Sequence, residues 1–404
     1  MNILFITTQF PFPLNNGGKI GAYNGISVLQ KFSKVTVLSF CEDIDEIDNY
    51  KKLVEQFDNV TYMKPVYHRV HIRKNIFKLA SALMSSFFRG IPYLVSKFYD
   101  KNMLKLIDEQ IESNEYDIIF IDYLNMAVYG DYIKKKYGDR KYKYVLKDHN
   151  VEYELFEQEA KKSKFLKRWV ASWQARLTRK YEIQHVKDAD YVFTVCDDNV
   201  EKLQVFNENI SAMKPTFEAS EYRKELTKQN NVLYIGALSW KQNIDGLKWF
   251  FEKAWNKVVE RIPDVTLKLV GSGGSTELFN EKNVEYLGYV ESLDELYKES
   301  KVFIVPLLEG SGIRIKILEA FNNDIATVST SVGCSTIGAS SNEIFMTDDA
   351  DEFAEFIIKL LEDDEFNNEM RWNAKEFLKK EYSLEQRQKQ TYEILRAKLF
   401  MVSE

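Results

Sequence analysis

Residues 302–321 read Val302-Phe-Ile-Val-Pro-Leu-Leu-Glu-Gly-Ser-Gly-Ile-Arg-Ile-Lys-Ile-Leu-Glu-Ala-Phe321. The first four residues form an apolar run of strand length, a glycine-containing loop follows, and apolar residues then recur with helical spacing. A strand that leads through a loop into a helix is the building unit of a parallel sheet with crossover helices. The segment therefore indicates an α/β fold.

The same alternation of strands and helices occurs twice along the chain. It begins with apolar runs at Ile3 to Thr7 and Val35 to Phe40, stops in the polar stretch 207–231, and restarts at Val232. A chain of 404 residues is long enough for two cores. We therefore predict an α/β fold with two Rossmann-like, doubly wound parallel-sheet domains that face a cleft. The predicted ranges are an N-terminal domain over 1–210, a C-terminal domain over 211–383, and a helix over 384–404 that returns to the N-terminal domain.

The composition excludes several classes of protein. A formal net charge of -6 is unfavourable for a protein whose main task is to bind nucleic acid. The three cysteines are Cys41, Cys196 and Cys334, and they show neither metal-ligand spacing nor a disulfide framework. The chain starts in a strand without a secretory signal, and no apolar run is long enough to span a membrane. We expect a cytoplasmic protein without a metal site.

The loop at 309–312 and the start of the following helix carry the strongest signal for ligand binding. Gly310 and Gly312 free the backbone, so that its N–H groups can point at an anion. Arg314 and Lys316 are expected in the first helical turn, where the helix dipole disfavours cations. This placement indicates that they serve the negative charge of a ligand. Glu319, on the same helix, is suited to accept hydrogen bonds from ribose hydroxyls.

Two segments of the N-terminal half also lie where sites form. The loop from Gln9 to Gly18 joins the first predicted strand to the first helix, and its Gly17 and Gly18 allow close approach of a ligand. A turn that needs positive φ would explain them equally well. The polar cluster Asp148-His149-Asn150 follows an apolar strand directly. His149 is either a functional residue or a hydrogen-bonded structural one.

Basic and aromatic residues are interleaved in two stretches, 64–101 and 161–180. The first includes Phe87 and Phe88, and the second Trp169 and Trp173. Cationic helices with aromatic residues can lie on anionic membranes. A solvated helix face is the simpler interpretation of either stretch alone. Because both occur in one half of an acidic protein, we predict a peripheral contact with the inner face of the membrane.

The order of motifs along the chain resembles that of the family 4 glycosyltransferases, whose fold is called GT-B. The resemblance covers nearly the whole chain and is strongest from Val232 to Tyr382. The similar pieces in this part are Tyr234-Ile-Gly-Ala-Leu-Ser-Trp-Lys-Gln-Asn-Ile-Asp245, Leu269-Val-Gly-Ser-Gly273, Tyr286-Leu-Gly-Tyr-Val290, Glu309 to Ala320 and Asp349-Ala-Asp-Glu-Phe-Ala354. In the first half, Gly17-Gly18, Asp148 to Glu152 and Ala189-Asp190 are similar as well.

The resemblance implies a retaining, metal-independent hexosyltransferase that moves a sugar from a nucleotide sugar to a hydroxyl acceptor. The acceptor would be a glycan or lipid-linked saccharide of bacterial polysaccharide synthesis. The nucleotide sugar, UDP- or GDP-linked, is a substrate, and no cofactor is implied. By this resemblance Glu319 holds the ribose, the backbone near Gly288 meets the base, the loop with Gly17 and Gly18 meets the phosphates, and His149 approaches the donor sugar.

The sequence departs from the family pattern in two places. Ser311 stands where the family has the first of two carboxylates, and Glu309 lies two residues earlier. Ala237 and Gln242 stand where a basic pair is usual. A subgroup of the family combines Ser-Trp…Asn, here ending at Asn243, with Gly-Ser-Gly…Arg…Lys, and this chain resembles it. The donor-binding residues expected on this basis are Gly17, Gly18, Gly236, Asn243, Gly288, Glu309, Gly310, Ser311, Gly312 and Glu319.

The expected mechanism assigns the charge of the departing diphosphate to Arg314, Lys316 and the backbone N–H groups of the glycine turn, with His149 as the third catalytic residue. Two alternatives remain open. A nucleotide-sugar epimerase of the GT-B fold would need acid and base groups in the cleft and no acceptor. A non-catalytic GT-B subunit would bind a partner without turnover.

Overall fold

The computed structural model describes residues 1–14, 16–42, 57–68, 76–138, 141–224, 229–273, 280–310 and 312–400, and the side chains of 76–81 and Leu166 also lie outside this description. The chain forms two compact units. Unit 1 comprises Met1–Pro215 together with Leu384–Glu404, and unit 2 comprises Thr216–Ser383.

Unit 1 is built on a sheet in which every described strand pair is parallel, with the order β3-β2-β1-β5-β6-β7-β8 and β4 beside β2. The order reverses between β1 and β5, where Ile3 pairs with Ile118. A reversal of this kind defines a doubly wound sheet. The strands are β1 Asn2–Thr7, β2 Lys34–Cys41, β3 Val60–Tyr62, β4 Val66–Tyr67, β5 Ile118–Asp122, β6 Lys143–Asp148, β7 Tyr191–Thr194 and β8 Ile210–Ala212.

Side chains of β1 alternate between two cores. Ile3 and Phe5 pack in one buried cluster, whereas Leu4 and Ile6 pack in another. Successive side chains of a strand point to opposite faces of its sheet, so both faces of this sheet are covered.

Helices of unit 1 connect these strands, and a 3-10 turn at Leu124–Met126 follows β5. The C-terminal helix also belongs to unit 1, since Leu395 packs with Leu29, and Gln388 Nε2 donates to Ser27 O at 3.0 Å. The helices are α1 Gly17–Leu29, α2 Ile76–Arg89, α3 Tyr93–Ser96, α4 Lys101–Ser113, α5 Ala127–Tyr137, α6 Glu152–Lys162, α7 Phe165–Asp188 and α8 Asp197–Leu203.

Unit 2 repeats this architecture with the parallel strand order β11-β10-β9-β12-β13-β14. Its order reverses between β9 and β12, where Val232 pairs with Val302. Val302 and Ile304 pack on one face of the sheet, and Phe303 and Val305 pack on the other. The strands are β9 Gln229–Ile235, β10 Thr266–Val270, β11 Val284–Gly288, β12 Ser300–Val305, β13 Ala326–Ser329 and β14 Phe345–Met346. The predicted fold class, two doubly wound parallel-sheet domains, is confirmed.

The first helix of unit 2 begins at Lys241 and continues through a π-helical turn at Phe251–Trp255. The helices of unit 2 are α9 Lys241–Phe250, α10 Asn256–Arg261, α11 Asp294–Glu299, α12 Ile315–Asn322, α13 Ser331–Cys334, α14 Ala350–Glu362 and α15 Asp364–Glu381. In unit 1, α16 Leu384–Leu395 is followed by a π-helical turn at Arg396–Phe400, where the described residues end.

Acidic residues cap two helices of unit 2. Asp349 accepts hydrogen bonds from the N–H groups of Asp351 and Glu352 at the start of α14, and Asp363 accepts from Phe366 at the start of α15. The stretch at 207–231, interpreted as a junction between domains, contains β8. Since β8 pairs with β7, unit 1 extends beyond residue 210.

Candidate functional site

The loop between β12 and α12 presents two cations at the carboxyl edge of the unit 2 sheet. Arg314 is the N-cap residue of α12 and so precedes the first turn in which it was expected, whereas Lys316 lies within that turn. Gly310 and Gly312 have φ values of 143° and 78°, which favour glycine. A Cβ atom at Gly310 would overlap the guanidinium group of Arg314. The glycine is therefore what allows this cation to lie against the loop.

Lys316 extends to the end of β9. Its Nζ donates to the carbonyl oxygen of Ile235 at 2.7 Å and lies 3.1 Å from where a Cβ atom of Gly236 would be. Burial, and then repulsion from Arg314, lower the pKa of Lys316 to about 8, while Glu319 opposes this effect. Burial lowers the pKa of Arg314 as well. Both shifts mean that the positive charges are costly in the free protein, and a bound anion would relieve that cost.

Glu319 lies three residues beyond Lys316 on α12. Its carboxylate accepts a hydrogen bond from the hydroxyl of Tyr297 at 3.4 Å. Burial raises the pKa of Glu319, and the Tyr297 hydrogen bond and the charge of Lys316 lower it. The structure thus places the carboxylate of Glu319 and the cations Arg314 and Lys316 around the start of one helix.

Glycines at neighbouring strand ends allow several loops to pass close together. Gly288 ends β11 with a φ of 65°, which favours glycine, and among the described residues beyond its two chain neighbours no atom lies within 4 Å of the position that a Cβ atom would occupy. Gly271 donates its N–H to Gly288 O at 2.8 Å, and a Cβ atom at Gly271 would overlap Gly236 O. On α9, Gly246 packs against the loop after β12 so closely that a Cβ atom would overlap Pro306 O.

The remaining three candidate donor-binding residues of unit 2 differ in their surroundings. Asn243 donates through Nδ2 to Ala237 O at 2.8 Å, so one function of its side chain is to hold the loop after β9. Glu309 is exposed; the raised pKa of Lys241 comes mainly from its hydrogen bond with Asp245, and the charge of Glu309 adds a smaller contribution. Ser311 lies outside the described residues.

In unit 1, His149 follows β6 and is held by Asp122 at the end of β5. The distance from His149 Nε2 to Asp122 Oδ1 is 2.7 Å, and the ring of Tyr123 stacks on the imidazole with centroids 3.5 Å apart. Lys147 Nζ lies 3.4 Å from the same carboxylate oxygen, and Thr7 Oγ1 donates to Asp122 Oδ2 at 2.7 Å. The parallel strands β1, β5 and β6 end side by side, which brings these residues together.

The electrostatics of this group define the protonation of His149. Burial lowers the pKa of His149, Asp122 raises it, and Lys147 lowers it further. Burial would raise the pKa of Asp122, but the charge of Lys147 and the contacts with His149 and Thr7 lower it to about 2. At neutral pH the group therefore contains a carboxylate, an ammonium and a neutral imidazole. Because Nε2 faces the carboxylate, this nitrogen carries the proton and Nδ1 keeps its lone pair.

The start of α1 lies against this group. Gly17 and Gly18 are its first two residues, and Asn16 caps it by accepting from the N–H of Lys19 at 3.0 Å. The hydroxyl of Tyr123 donates to Gly18 O at 3.3 Å. A Cβ atom at Gly21 would lie 2.8 Å from Cε1 of His149, so the glycine is needed for this approach.

A pair of buried carboxyl groups lies behind His149. Glu182 on α7 accepts hydrogen bonds from the N–H groups of Glu152 and Tyr153, at 2.8 and 2.9 Å, and so caps α6. Asp148 is 1% exposed, and burial followed by the charge of Glu182 raises its pKa well above its usual range. Burial and the neighbouring carboxyl group therefore both disfavour a negative charge on Asp148.

Sequence reasoning missed several residues that shape these sites, namely Asp122, Tyr123, Lys147, Gly21, Glu182, Gly246 and Gly271. The position of Asp122 at the end of an apolar run is a signal that could have found it. Among the described residues, no group of three or more His, Cys, Asp or Glu side chains is arranged to hold a metal ion. No described helix has both the length and the apolar character that crossing a bilayer requires.

Comparison with known proteins places these sites in context. Residues 229–363 match a family model described as "Glycosyl transferases group 1". A Klebsiella pneumoniae protein described as "Uncharacterized 44.6 kDa protein in cps region" is 23% identical over 393 residues, which cover 94% of this chain and 96% of that protein.

Solved structures show the same fold over both units. Sucrose-phosphate synthase from Thermosynechococcus elongatus has a TM-score of 0.67 at 15% identity and covers 98% of each chain. A point mutant of S. aureus TarM, in complex with Fondaparinux, alpha-GlcNAc-glycerol and UDP, has a TM-score of 0.65 at 14% identity, with 97% of this chain and 99% of that chain covered. Anabaena HepE, in complex with UDP and glucose, has a TM-score of 0.62 at 14% identity, with 98% and 100% covered. The fold is that of the GT-B glycosyltransferases.

Proposed function

We propose that this protein is a GT-B glycosyltransferase, in which unit 2 binds a nucleotide sugar and the sugar passes to a hydroxyl group of an acceptor. The family match lies within unit 2 and supports this assignment. TarM and HepE have the same fold and were solved with UDP. The observation that carries the proposal is the pair of cations at the start of α12, Arg314 against Gly310 and Lys316 against Gly236, where the lack of a Cβ atom allows the close approach.

The two cations are suited to stabilise a diphosphate leaving group. As the bond between the sugar and the diphosphate breaks, negative charge grows on the phosphate oxygens. Lys316 already lies against a backbone carbonyl, and its charge is disfavoured by burial and by Arg314. Both cations therefore gain more from an incoming anion than two solvated lysines would. In this proposal they supply the charge that a metal ion supplies in other transferases.

Residues around the cations are proposed to hold the rest of the donor. Glu319 accepts hydrogen bonds from the ribose hydroxyls, and the backbone at Gly288 meets the base. Gly236, Gly310 and Gly312 allow the phosphates to approach the backbone, with Asn243, Glu309 and Ser311 at the rim. The donor is UDP- or GDP-linked and is consumed as a substrate.

His149 is proposed to act at the donor sugar from unit 1, with Asp122 as a positioning residue. Asp122 fixes the tautomer of the imidazole, and Tyr123 fixes the plane of its ring. The free Nδ1 lone pair is then available as an acceptor for a sugar hydroxyl. Gly17 and Gly18 at the start of α1 offer backbone N–H groups to the phosphates. We propose that the sugar is transferred with retention.

The acceptor is proposed to be a saccharide or a lipid-linked saccharide of polysaccharide synthesis, and the reaction is proposed to be cytoplasmic. The description of the Klebsiella relative, from a cps region, supports this assignment. The alpha-GlcNAc-glycerol and Fondaparinux bound to TarM show that a protein of this fold can hold sugar-containing molecules other than the donor.

A ligand screen followed by kinetics tests the proposal. Nucleoside diphosphates and nucleotide sugars should raise the unfolding temperature of the full chain by mass action, and the best ligand identifies the base. With that donor, Arg314→Ala and Lys316→Ala should each lower kcat by about 10²–10³ while changing donor affinity much less. Lys257→Ala, which removes an exposed lysine of unit 2 paired with Asp351, is the control.

Three outcomes would refute the proposal. The first is that no nucleotide raises the unfolding temperature, which indicates a non-catalytic subunit. The second is unchanged kinetics in both cation variants. The third is isomerisation of the nucleotide sugar without an acceptor, which would identify an epimerase.

A further inference from the structure

A strip of exposed apolar side chains, here called the aromatic strip, runs across α2 and α7 of unit 1. Phe165 is 91% exposed, Trp169 67%, Phe87 69% and Phe88 78%. Four such rings expose on the order of 500 Å² of apolar surface, comparable to the largest patch on an ordinary monomer. Its members are Met84, Phe87, Phe88, Phe165, Trp169 and the half-buried Trp173.

Helix geometry and a buried amide make the strip continuous. Phe165, Trp169 and Trp173 are spaced by four residues and so share one face of α7. Trp173 packs against Phe87 of α2, with ring centroids 6.2 Å apart. Gln174, 2% exposed, donates to Ser86 Oγ at 3.1 Å and accepts from the N–H of Tyr93, which ties α2 and α3 to α7.

The strip is embedded in positive charge. Residues 161–180 contain no acidic residue, whereas the chain as a whole has a net charge of -6. Helix α6 carries acids, and its Glu159 pairs with Lys167 at 2.7 Å, but Arg168 and Arg176 lie one residue before Trp169 and three residues after Trp173. The cations of this segment are Lys161, Lys162, Lys164, Lys167, Arg168, Arg176, Arg179 and Lys180.

We propose that the aromatic strip and its cations dock unit 1 on an anionic lipid bilayer. Aromatic side chains favour the headgroup boundary, where the ring is buried and charged neighbours meet lipid phosphates. A second copy of the chain fits less well, since a symmetric contact would bring the same cations face to face. This proposal concerns binding to the membrane alone, and its test does not depend on whether the protein transfers sugar.

Flotation of the full chain with vesicles tests the docking. Vesicles of phosphatidylcholine alone are compared with vesicles that contain about 30 mol% phosphatidylglycerol, an anionic lipid. Binding should require the anionic lipid. It should weaken as salt rises from about 0.1 M to about 1 M, because the Debye length falls from about 10 Å to about 3 Å.

Matched variants separate the two components of the surface. Trp169→Ser should weaken vesicle binding about tenfold. Arg168→Glu replaces a positive by a negative charge, and each unit of this change should weaken binding about fivefold. The controls are Val205→Ser, at another exposed apolar residue of unit 1, and Lys135→Glu, at an exposed lysine of α5. Neither control should change binding, and all four variants should unfold at the wild-type temperature because the residues are exposed.

Three results would overturn the docking. One is wild-type protein that does not prefer anionic vesicles. Another is equal binding by wild type, Trp169→Ser and Arg168→Glu. The third is a dimer in sedimentation velocity that Trp169→Ser dissolves, together with no vesicle binding, which would make the strip an interface between copies.

Discussion

Replacing Asp122 by Asn tests whether the buried charges of unit 1 hold His149 as the structure indicates. The change keeps the size of the side chain and removes the carboxylate that lies 3.4 Å from Lys147 Nζ and 2.7 Å from His149 Nε2. The Lys147 ammonium, whose side chain is 3% exposed, then remains buried without its anionic partner. Unit 1 should lose stability at neutral pH.

The magnitude follows from the pKa of Asp122. A decrease from 3.8 to about 2 means that the folded state favours the carboxylate, and at 1.36 kcal/mol per unit this contributes about 2–3 kcal/mol at neutral pH. Asp122 is fully buried, so solvent does not screen the effect. A depressed carboxyl pKa stabilises the fold above the unfolded value of 3.8, and this contribution disappears as pH falls through about 2. Wild type and Asp122→Asn should therefore differ by about 2–3 kcal/mol at pH 7 and converge between pH 4 and pH 2.

Urea unfolding at several pH values measures this difference. Hydrogen exchange of the amides in β1 and β5 then shows whether the stability is lost in unit 1, which contains Asp122 and Lys147. Asp197→Asn is the control, since Asp197 pairs with Lys214 in unit 1 but is 67% exposed, and it should cost less than about 1 kcal/mol. Only four histidines are present, so nitrogen NMR can follow the tautomer of His149 in the same samples. A difference that stays constant from pH 7 to pH 2, or a wild-type His149 that carries its proton on Nδ1 and not on Nε2, would refute the assigned charge arrangement.

Three further predictions concern unit 2. Gly246→Ala should lower the unfolding temperature and destabilise unit 2 by about 2 kcal/mol or more, because the new methyl group would overlap the backbone after β12. Affinity for a nucleoside diphosphate, measured by calorimetry, should fall as pH rises through about 8, where Lys316 loses its proton, and Lys316→Gln should remove this dependence. Lys375→Met should cost about 1.5–3 kcal/mol in urea unfolding, since Asp324 loses the buried one of its two cationic partners and keeps only Arg223, which is 40% exposed, whereas the more exposed Lys379→Met should cost less than about 1 kcal/mol.

The order of strands and helices could be read from the sequence because both sheets are buried on two faces. A strand such as β12 then consists of consecutive apolar residues, which makes it visible without any partner. Short strands with half-exposed residues escaped notice, as β8 at Ile210–Ala212 shows. The N-caps at Asp349 and Asp363 were also predictable, since capping depends on residues only two or three positions away.

The partners of His149 could not be predicted from the sequence, because they come from strands far apart along the chain. Asp122 precedes His149 by 27 residues and is separated from Thr7 by 115. Only the pairing of β1, β5 and β6 makes them neighbours. The steric demands on Gly21 and Gly246 are hidden for the same reason, since each arises from a contact with another element.

The two units share a topology but differ in how they balance charge at the carboxyl edges of their sheets. In unit 1, Asp122 lies between Lys147 and His149, so the group is nearly neutral before any ligand arrives. In unit 2, burial lowers the pKa of both Arg314 and Lys316, and the charge of Arg314 lowers the pKa of Lys316 further. An anion would therefore stabilise unit 2 more than unit 1, while unit 1 presents an oriented neutral imidazole. For the proposed transfer, this asymmetry favours unit 2 as the part that binds the phosphates.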